Sequence, residues 1–283
     1  MAILGHNAGM TASNNERPIG VFDSGVGGLT VLQAIQVELP NENLIYLGDT
    51  ARLPYGTKSP ASIGRYATLA TARLYDEGIK LLVVACNTAS AVALDALREK
   101  LDPLPVIGVV EPGATAAVAA RPGGSHLVLA TESTVRLGAY RNAIEALDPS
   151  ASIHEHACEV LVTLAEEGWT TGAIAESTVR RYLAEARGSG FTPDSIILGC
   201  THFPLLREVI ASVADDGVSL VDSAGTTAAT VREALENTAS LNASDKPGQQ
   251  RLMATDGVTR FARVGGQFLG HALAIEDIEL VDL

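Results

Sequence analysis

Short apolar runs alternate with longer amphipathic segments along most of the chain, beginning at Ile19. Runs rich in Val, Ile and Leu predict strands buried on both faces, and the longer segments predict helices of about 10 to 15 residues. Strands that alternate with such helices predict right-handed βαβ crossovers and a mainly parallel sheet. The first pairs of run and segment are 19–22 with 29–39, 44–47 with 62–76, 81–85 with 89–101, and 106–109 with 113–120.

A second set of elements follows two interruptions rich in proline and glycine, at 102–105 and 121–125. The two sets predict an α/β protein with two similar lobes, each a mainly parallel sheet flanked by helices, and an active site in the cleft between them. The elements of the second set are 127–130, 133–146, 153–156, 161–167, 171–187, 196–198 and 205–213.

The segment 220–225 resembles the segment 21–25, which predicts that the end of the chain returns to the first lobe. The first residues are rich in Asn, Gly, Ala and Ser, a composition typical of loosely ordered termini. We therefore predict three regions: a flexible N-terminal extension at 1–17, a discontinuous first lobe of 18–110 plus 218–283, and a second lobe of 111–217.

Charge narrows the range of partners. The net charge is −13, from 33 acidic and 20 basic side chains. This charge argues against nucleic acid and against an anionic membrane, because both are bound through clusters of basic residues. An anionic small substrate would be repelled at long range, so its carboxylates need local donors such as backbone N–H groups, helix N-termini or hydroxyls.

Cysteine usage and hydropathy indicate the compartment. Three cysteines, with no CxxC pair, are not a disulfide framework and favour a reducing environment. Residues 1–17 lack the basic and apolar regions of a signal peptide, and no apolar stretch approaches the roughly 18 residues of a membrane span. We predict a cytoplasmic protein without a membrane partner.

Cys86 and Cys200 each follow a predicted buried strand and precede small hydrogen-bonding residues. The carboxyl ends of parallel strands are where open α/β sheets bind ligands, so the repetition predicts two facing thiols. Cys158 lies at the start of an amphipathic segment, and we interpret it as a packing residue.

A pair of facing thiols has three possible uses. A redox pair usually brings a CxxC motif, which is missing. Zinc bound by Cys86, Cys200 and His202 remains open, although these would be three ligands without a usual spacing. A pair of acid and base groups on either side of a carbon would invert a stereocentre, which is racemase or epimerase chemistry.

Residues near both cysteines could activate the thiols. An imidazole such as His202, two residues from Cys200, can lower a thiol pKa and populate the thiolate. Asp23 also follows a strand and could orient or polarise a thiol across the cleft. The glycine-rich segment 23–28 does not fit a nucleotide motif, but its backbone N–H groups suit a carboxylate. The segments 48–50 and 54–56 form a second strand-end loop.

On these residues the chain resembles the glutamate racemases of the cofactor-independent aspartate/glutamate racemase superfamily. The resemblance extends from residue 19 to about residue 269. It depends on the motifs FDSGVGGL at 22–29, YLGDTARLPYG at 46–56, ACNTA at 85–89, VIGVVEPGA at 106–114 and GCTHFPLL at 199–206.

The resemblance implies an isomerase that interconverts L- and D-glutamate without pyridoxal phosphate, metal or other cofactor, and that supplies D-glutamate for bacterial peptidoglycan. It implies that Cys86 takes the α-proton from D-glutamate and Cys200 takes it from L-glutamate. Asp23 would support Cys86, and His202, held by Glu166 of the Glu166-Glu167 pair, would support Cys200.

The resemblance also implies the substrate site, the oligomer and a regulator. It favours a homodimer and, in members with an N-terminal extension, activation by a cell-wall precursor. Two alternatives remain: a racemase for aspartate or another small acid, and a protein that mainly binds gyrase. The residues implied to line the substrate are Asp23, Ser24, Pro54, Tyr55, Gly56, Asn87, Thr88, Thr134 and Thr201.

Overall fold

Two parallel sheets form the framework of the protein in a computed structural model that describes residues 14–188 and 190–283. The strands of the first sheet are β1 (Ile19–Asp23), β2 (Leu44–Gly48), β3 (Leu81–Val84), β4 (Val106–Gly108), β9 (Gln250–Ala254) and β10 (Ile278–Leu280). Those of the second sheet are β5 (Ser125–Ala130), β6 (Ser152–Ala157), β7 (Ser195–Gly199) and β8 (Ser219–Asp222). The strand orders are β10-β9-β2-β1-β3-β4 and β6-β5-β7-β8.

Helices cover the faces of both sheets, which confirms the predicted α/β fold of parallel sheets flanked by helices. Short 3₁₀ turns lie at Asn14–Glu16, Tyr55–Thr57, Phe203–Leu206 and Ile275–Asp277. The helices are α1 (Leu29–Glu38), α2 (Pro60–Asp76), α3 (Asn87–Leu101), α4 (Val110–Ala120), α5 (Glu132–Leu137), α6 (Ala139–Leu147), α7 (Glu159–Glu166), α8 (Gly172–Gly188), α9 (Arg207–Val213), α10 (Ser223–Asn237) and α11 (Val258–Leu269).

Local sequence explains several helix starts. Ser59 caps α2 by accepting a hydrogen bond from the Ser62 backbone N–H, and Pro60 follows as the first helical residue. Asp222 caps α10 in the same way, accepting from the backbone N–H of Gly225. The cap of α3 is the sulfur of Cys86, so a candidate thiol lies at a helix N-terminus.

The structure differs from the sequence prediction in two places. Residues 133–146, predicted as one element, form α5 and α6, which are separated at Gly138 because its φ of 60° ends the first helix. The boundary at 218 placed residues 219–222 in the first lobe, but β8 pairs with β7 in the second sheet. The two segments share a strand that ends in an aspartate whose carboxylate accepts from a nearby backbone N–H, and this pattern does not indicate sheet membership.

The predicted regions also include the end of the chain and an N-terminal extension. β9 and β10 pair within the first sheet. Most of the proposed N-terminal extension, residues 1–13, lies outside the described residues. The limits of the two lobes stay a prediction.

The two sheets share a hydrophobic core. Buried residues of β1, such as Val21, belong to one cluster with Leu129 of β5 and Leu198 of β7. Helix α1, beside the first sheet, packs along α10. The Thr30 hydroxyl of α1 also donates to the carbonyl of Thr201, just after β7, so the carboxyl end of β7 lies against α1. Among the residues that the model describes, no helix has the length and apolarity needed to cross a bilayer.

Candidate active site

The candidate site is built from strand ends of both sheets. Asp23 is the last residue of β1, and Cys86 follows β3 in the first sheet. Cys200 follows β7 in the second sheet. Strand register aligns these ends, because Phe22 pairs with Val84, and Ala130 of β5 pairs with Gly199. Both thiols therefore lie at carboxyl edges of parallel sheets, where such folds bind ligands.

Cys86 is a buried thiol, 7% exposed, at the N-terminus of α3. Its sulfur accepts from the Ala89 backbone N–H at 3.4 Å and donates to the Ser24 hydroxyl at 3.5 Å. Burial, and after it the negative charge of Asp23, raise the pKa of Cys86 to about 12. The hydrogen bonds that Cys86 makes with Ser24 and Ala89 lower its pKa and offset this rise in part. Cys86 is therefore protonated at neutral pH.

Asp23 is a buried carboxyl, 1% exposed, beside that thiol. Its Oδ2 accepts from the Gly25 backbone N–H at 2.8 Å, while its Oδ1 has no hydrogen-bond partner within residues 14–188 and 190–283. Burial raises the pKa of Asp23, and the charge of His202 lowers it in part. Asp23 thus interacts electrostatically with groups on both walls of the cleft.

The wall of Cys200 carries a different set of partners. Nδ1 of His202 lies 3.7 Å from the Cys200 sulfur, and its Nε2 lies 3.1 Å from Oε1 of Glu166. The other carboxylate oxygen of Glu166 accepts from Arg260 of α11. Burial disfavours the imidazolium, but hydrogen bonds and charges of Cys200 and Glu166 outweigh it and raise the pKa of His202 to about 10. His202 is therefore cationic at neutral pH, and its charge stabilises negative charge on the neighbouring sulfur.

A triangle of hydroxyls crosses the cleft. Thr88 of α3 lies 3.1 Å from Thr131 and 3.2 Å from Thr134, measured between side-chain oxygens, and these two threonines lie 3.1 Å apart. Thr131 follows β5, and Thr134 lies on α5 of the second sheet's layer. Hydroxyls of this kind both donate and accept hydrogen bonds, so they suit a neutral site for carboxylates.

The loop at 54–57 packs against α5. The hydroxyl of buried Tyr55 donates to Oδ2 of Asp49 at 2.7 Å, which fixes the start of the loop. The next residue, Gly56, accepts at its carbonyl from the Ser133 hydroxyl of α5. A Cβ on Gly56 would lie 3.2 Å from the Cβ of Thr131, so the loop packs tightly on the opposite lobe. The hydroxyl of Tyr55 is therefore engaged with Asp49, and its ring packs near the rings of Phe22 and Tyr66.

The arrangement offers acid/base chemistry at two unlike thiols. One sulfur belongs to a protonated Cys86 beside a carboxyl, and the other lies beside an imidazolium. The described part of the chain contains no group of three or more His, Cys, Asp or Glu side chains arranged to hold a metal ion.

Comparison with known proteins decides the family. The family model described as Asp/Glu/Hydantoin racemase matches residues 19–234. The chain belongs to this family. The match covers four strands of the first sheet, β1 to β4, and all four strands of the second, and it includes each strand end that carries a candidate thiol.

Members of the family also resemble the chain individually. A glutamate racemase of Geobacter metallireducens is 48% identical over 257 residues, covering 91% of this chain and 94% of its own length. The crystal structure of glutamate racemase from Francisella tularensis in complex with D-glutamate is 35% identical, with a TM-score of 0.86 and coverage of 95% of this chain and 98% of that one. The Escherichia coli enzyme, in complex with L-glutamate and the activator UDP-MurNAc-ala, is 31% identical, with a TM-score of 0.74 and coverage of 94% and 98%. The resemblance to glutamate racemases seen in the sequence is confirmed.

The structure places most of the predicted site residues of this racemase family member at or next to the carboxyl ends of strands in the two sheets. Asn87 and Thr88 form the first turn of α3, directly after Cys86. Thr201 is buried between Cys200 and His202, and its carbonyl accepts from the Thr30 hydroxyl at 3.0 Å. Pro54 is exposed and follows a cis peptide bond.

Of the two adjacent glutamates, Glu166 is the one that contacts His202. Glu167 is the exposed C-cap residue that follows α7. The catalytic and binding roles of all these residues stay predictions.

Several residues of the cleft were not singled out from the sequence. The position of Thr131 directly after a buried strand, like that of both thiols, could have identified it as a site residue. Asp49 lay within a quoted motif, but its partners Tyr55 and Thr255 are not apparent from spacing. Nothing in the local sequence identifies Arg260, because its contact with Glu166 joins two helices that are distant in the chain.

Proposed function

We propose that the protein is a glutamate racemase that moves the α-proton of glutamate between Cys86 and Cys200. The observation that carries this proposal is the pair of buried thiols at facing strand ends, each with its own unlike partner group. Glutamate as substrate is supported by the relatives, which are named for that activity, and by D-glutamate in the Francisella tularensis structure.

In the proposed reaction, Cys200 acts as base towards L-glutamate. Its thiolate, stabilised by the His202 imidazolium, takes the α-proton, and the electron pair of the broken C–H bond stays on the substrate as a carbanion. Cys86, a thiol at neutral pH, donates its proton to the opposite face of that carbon. The product is D-glutamate, with Cys200 now protonated and Cys86 ionised. The reverse steps convert D-glutamate to L-glutamate, with Cys86 as the base supported by Asp23.

A thiolate is a weak base for an amino-acid α-carbon, so the site must stabilise the developing negative charge. Cys86 and Cys200 are 7% and 6% exposed, and burial strengthens every electrostatic interaction at the reacting carbon. The N-terminus of α3 presents its positive dipole end beside Cys86. Ser24, Asn87 and the threonine triangle supply neutral donors that can hold the carboxylates. The proposal needs no cofactor, since thiols supply both the acid and the base.

The physiological part of the proposal follows from the product. D-glutamate formed in the cytoplasm would supply peptidoglycan synthesis. UDP-MurNAc-ala, the activator bound by the Escherichia coli relative, is the cell-wall precursor we propose as a regulator to test on this protein. A homodimer stays a prediction.

Circular dichroism during turnover tests the proposal. Purified, metal-stripped protein is expected to abolish the optical signal of L-glutamate and of D-glutamate and to leave L-aspartate unchanged. Loss of the L-aspartate signal would instead favour the aspartate racemase, whose substrate is shorter by one methylene, worth only about 1–3 kcal/mol of discrimination. No change with any substrate would contradict the enzyme proposal and favour the gyrase-binding alternative.

The pH dependence tests the pairing of Glu166 with His202. In the wild type the pKa of His202 is raised to about 10, so the imidazolium persists at neutral pH and is lost as the pH rises through that value. Glu166→Gln removes a negative charge that favours the imidazolium, so the basic limb of kcat/KM for L-glutamate should move to lower pH. The measurement is the pH profile of both proteins.

Glu167→Gln is the matched control, because it removes the same charge from the adjacent, exposed position. Its basic limb should coincide with that of the wild type. The amino group of the substrate titrates equally in all three assays. Differences among the three pH profiles therefore arise from groups of the enzyme. An unshifted limb in Glu166→Gln would refute the role of this contact.

A further inference from the structure

One buried amide in the cleft has an unused donor. Asn87, 4% exposed, is the first residue of α3 and lies between Cys86 and Thr88. Its Oδ1 accepts from the hydroxyl of Tyr140 at 2.8 Å, whereas its Nδ2 has no hydrogen-bond partner among the described residues. A buried donor without a partner is costly, so its retention at the cleft points to a ligand that accepts from it.

The partner of this amide comes from the other lobe. Tyr140 is fully buried on α6, which starts where Gly138 breaks the predicted helix. Two glycines make room for its ring: a Cβ on Gly113 would lie 3.2 Å from a ring carbon, and a Cβ on Gly199 would lie 3.0 Å from another. Gly199 immediately precedes Cys200, so the ring packs against the strand end that carries the second thiol.

Tyr140 thus touches both walls of the cleft. Its hydroxyl reaches Asn87 beside the first thiol, and its ring packs beside the second. Burial, together with the negative charges of Cys200 and Asp222, raises the pKa of Tyr140 far above neutrality, so the hydroxyl keeps its proton and can always donate. An amide whose oxygen is held this way must turn its NH₂ group away from the tyrosine.

We propose that Tyr140 is a positioning residue that fixes the orientation of the Asn87 amide, so that Nδ2 is preset to donate to a carboxylate of the substrate. This inference rests on the proposed function, and it adds the residue that holds the binding group. An amide free to rotate would offer its oxygen to the anion for part of the time, which weakens binding. The hydroxyl of Tyr140 removes that alternative before the substrate arrives.

The test is Tyr140→Phe, which keeps the ring and removes one oxygen. We expect KM for L-glutamate and for D-glutamate to rise about ten-fold, which corresponds to about 1.4 kcal/mol, with kcat changed less than about three-fold. The matched control is Tyr182→Phe, because the Tyr182 hydroxyl accepts from the backbone N–H of Val160 in the first turn of α7. Its KM should equal that of the wild type.

A double-mutant cycle separates positioning from packing. Asn87→Ala removes the amide, so Tyr140→Phe in that background should leave KM within about two-fold of the Asn87→Ala value. An equal ten-fold rise in both backgrounds, an unchanged KM in Tyr140→Phe, or a loss confined to kcat would each overturn the inference. A wild-type protein that fails to racemise glutamate would refute the proposed function itself, and with it this inference; an active wild type confines any failure to Tyr140.

Discussion

Replacing either Cys86 or Cys200 with alanine is expected to lower racemisation by roughly 10³–10⁴-fold or more, since each variant lacks one of two proton-transfer groups. Both sulfurs are buried at strand ends, and the third described thiol, Cys158, is engaged with the backbone carbonyl of His156. The measurement is kcat/KM in both directions by circular dichroism. Robust turnover by either variant would contradict the two-base proposal.

Isotope exchange distinguishes the roles of the two thiols. In deuterium oxide, Cys86→Ala retains Cys200, which can take the α-proton of L-glutamate but can return a deuteron only to the same face. This variant should therefore label L-glutamate without inverting it, and Cys200→Ala should label D-glutamate. The opposite pattern would show that the assignment of the two cysteines to the two enantiomers is reversed.

Cys158→Ala is the matched control for both variants. Cys158 is a completely buried cysteine, and its sulfur donates to the backbone carbonyl of His156, within the second lobe. It belongs to the hydrophobic core, so its removal should affect stability and leave kcat/KM within about two-fold of the wild type. Loss of activity in this variant at a temperature where it is folded would mean that cysteine replacement alone, without loss of an acid/base group, inactivates the enzyme.

Gly27→Ala should lower kcat/KM by roughly 100-fold, because an added methyl group would displace the imidazole of His202. A Cβ at Gly27 would lie 2.4 Å from the Thr201 hydroxyl oxygen and 2.5 Å from Cε1 and Nδ1 of His202. These distances are far below van der Waals contact, so the ring must move. Its movement breaks the contacts with Cys200 and Glu166 on which the imidazolium depends.

Gly64→Ala is the control for this substitution. Gly64 lies within α2, and a Cβ there meets nothing within 4 Å. Alanine at this position should stabilise the helix by up to about 1 kcal/mol and leave kinetics unchanged. Thermal unfolding of both variants shows whether Gly27→Ala remains folded while its activity is lost. Wild-type kcat/KM in Gly27→Ala would contradict the close approach of the two lobes at His202.

Much of the cleft could be predicted from local sequence. The apolar runs before Cys86 and Cys200 are β3 and β7, and each thiol follows its strand as expected. Ser59 is the N-cap of α2 and Pro60 is its first residue, as expected for serine and proline at a helix start. Such features depend on a few neighbouring residues, through side-chain periodicity and capping hydrogen bonds, so the sequence expresses them directly.

Other features depend on packing between distant segments. The similarity of 220–225 to the first strand suggested a return to the first lobe, yet β8 joined the second sheet, because strand pairing is decided by partners far away in the chain.

The sequence by itself determined the α/β fold, the two strand-end thiols and their unlike neighbours Asp23 and His202. Only the tertiary structure decided that Arg260 contacts Glu166, that Gly27 lies against His202, and that Tyr140 holds Asn87. The physical reason is that hydrogen bonds and close contacts across the cleft arise when the lobes pack. No spacing along the chain encodes which side chains meet there.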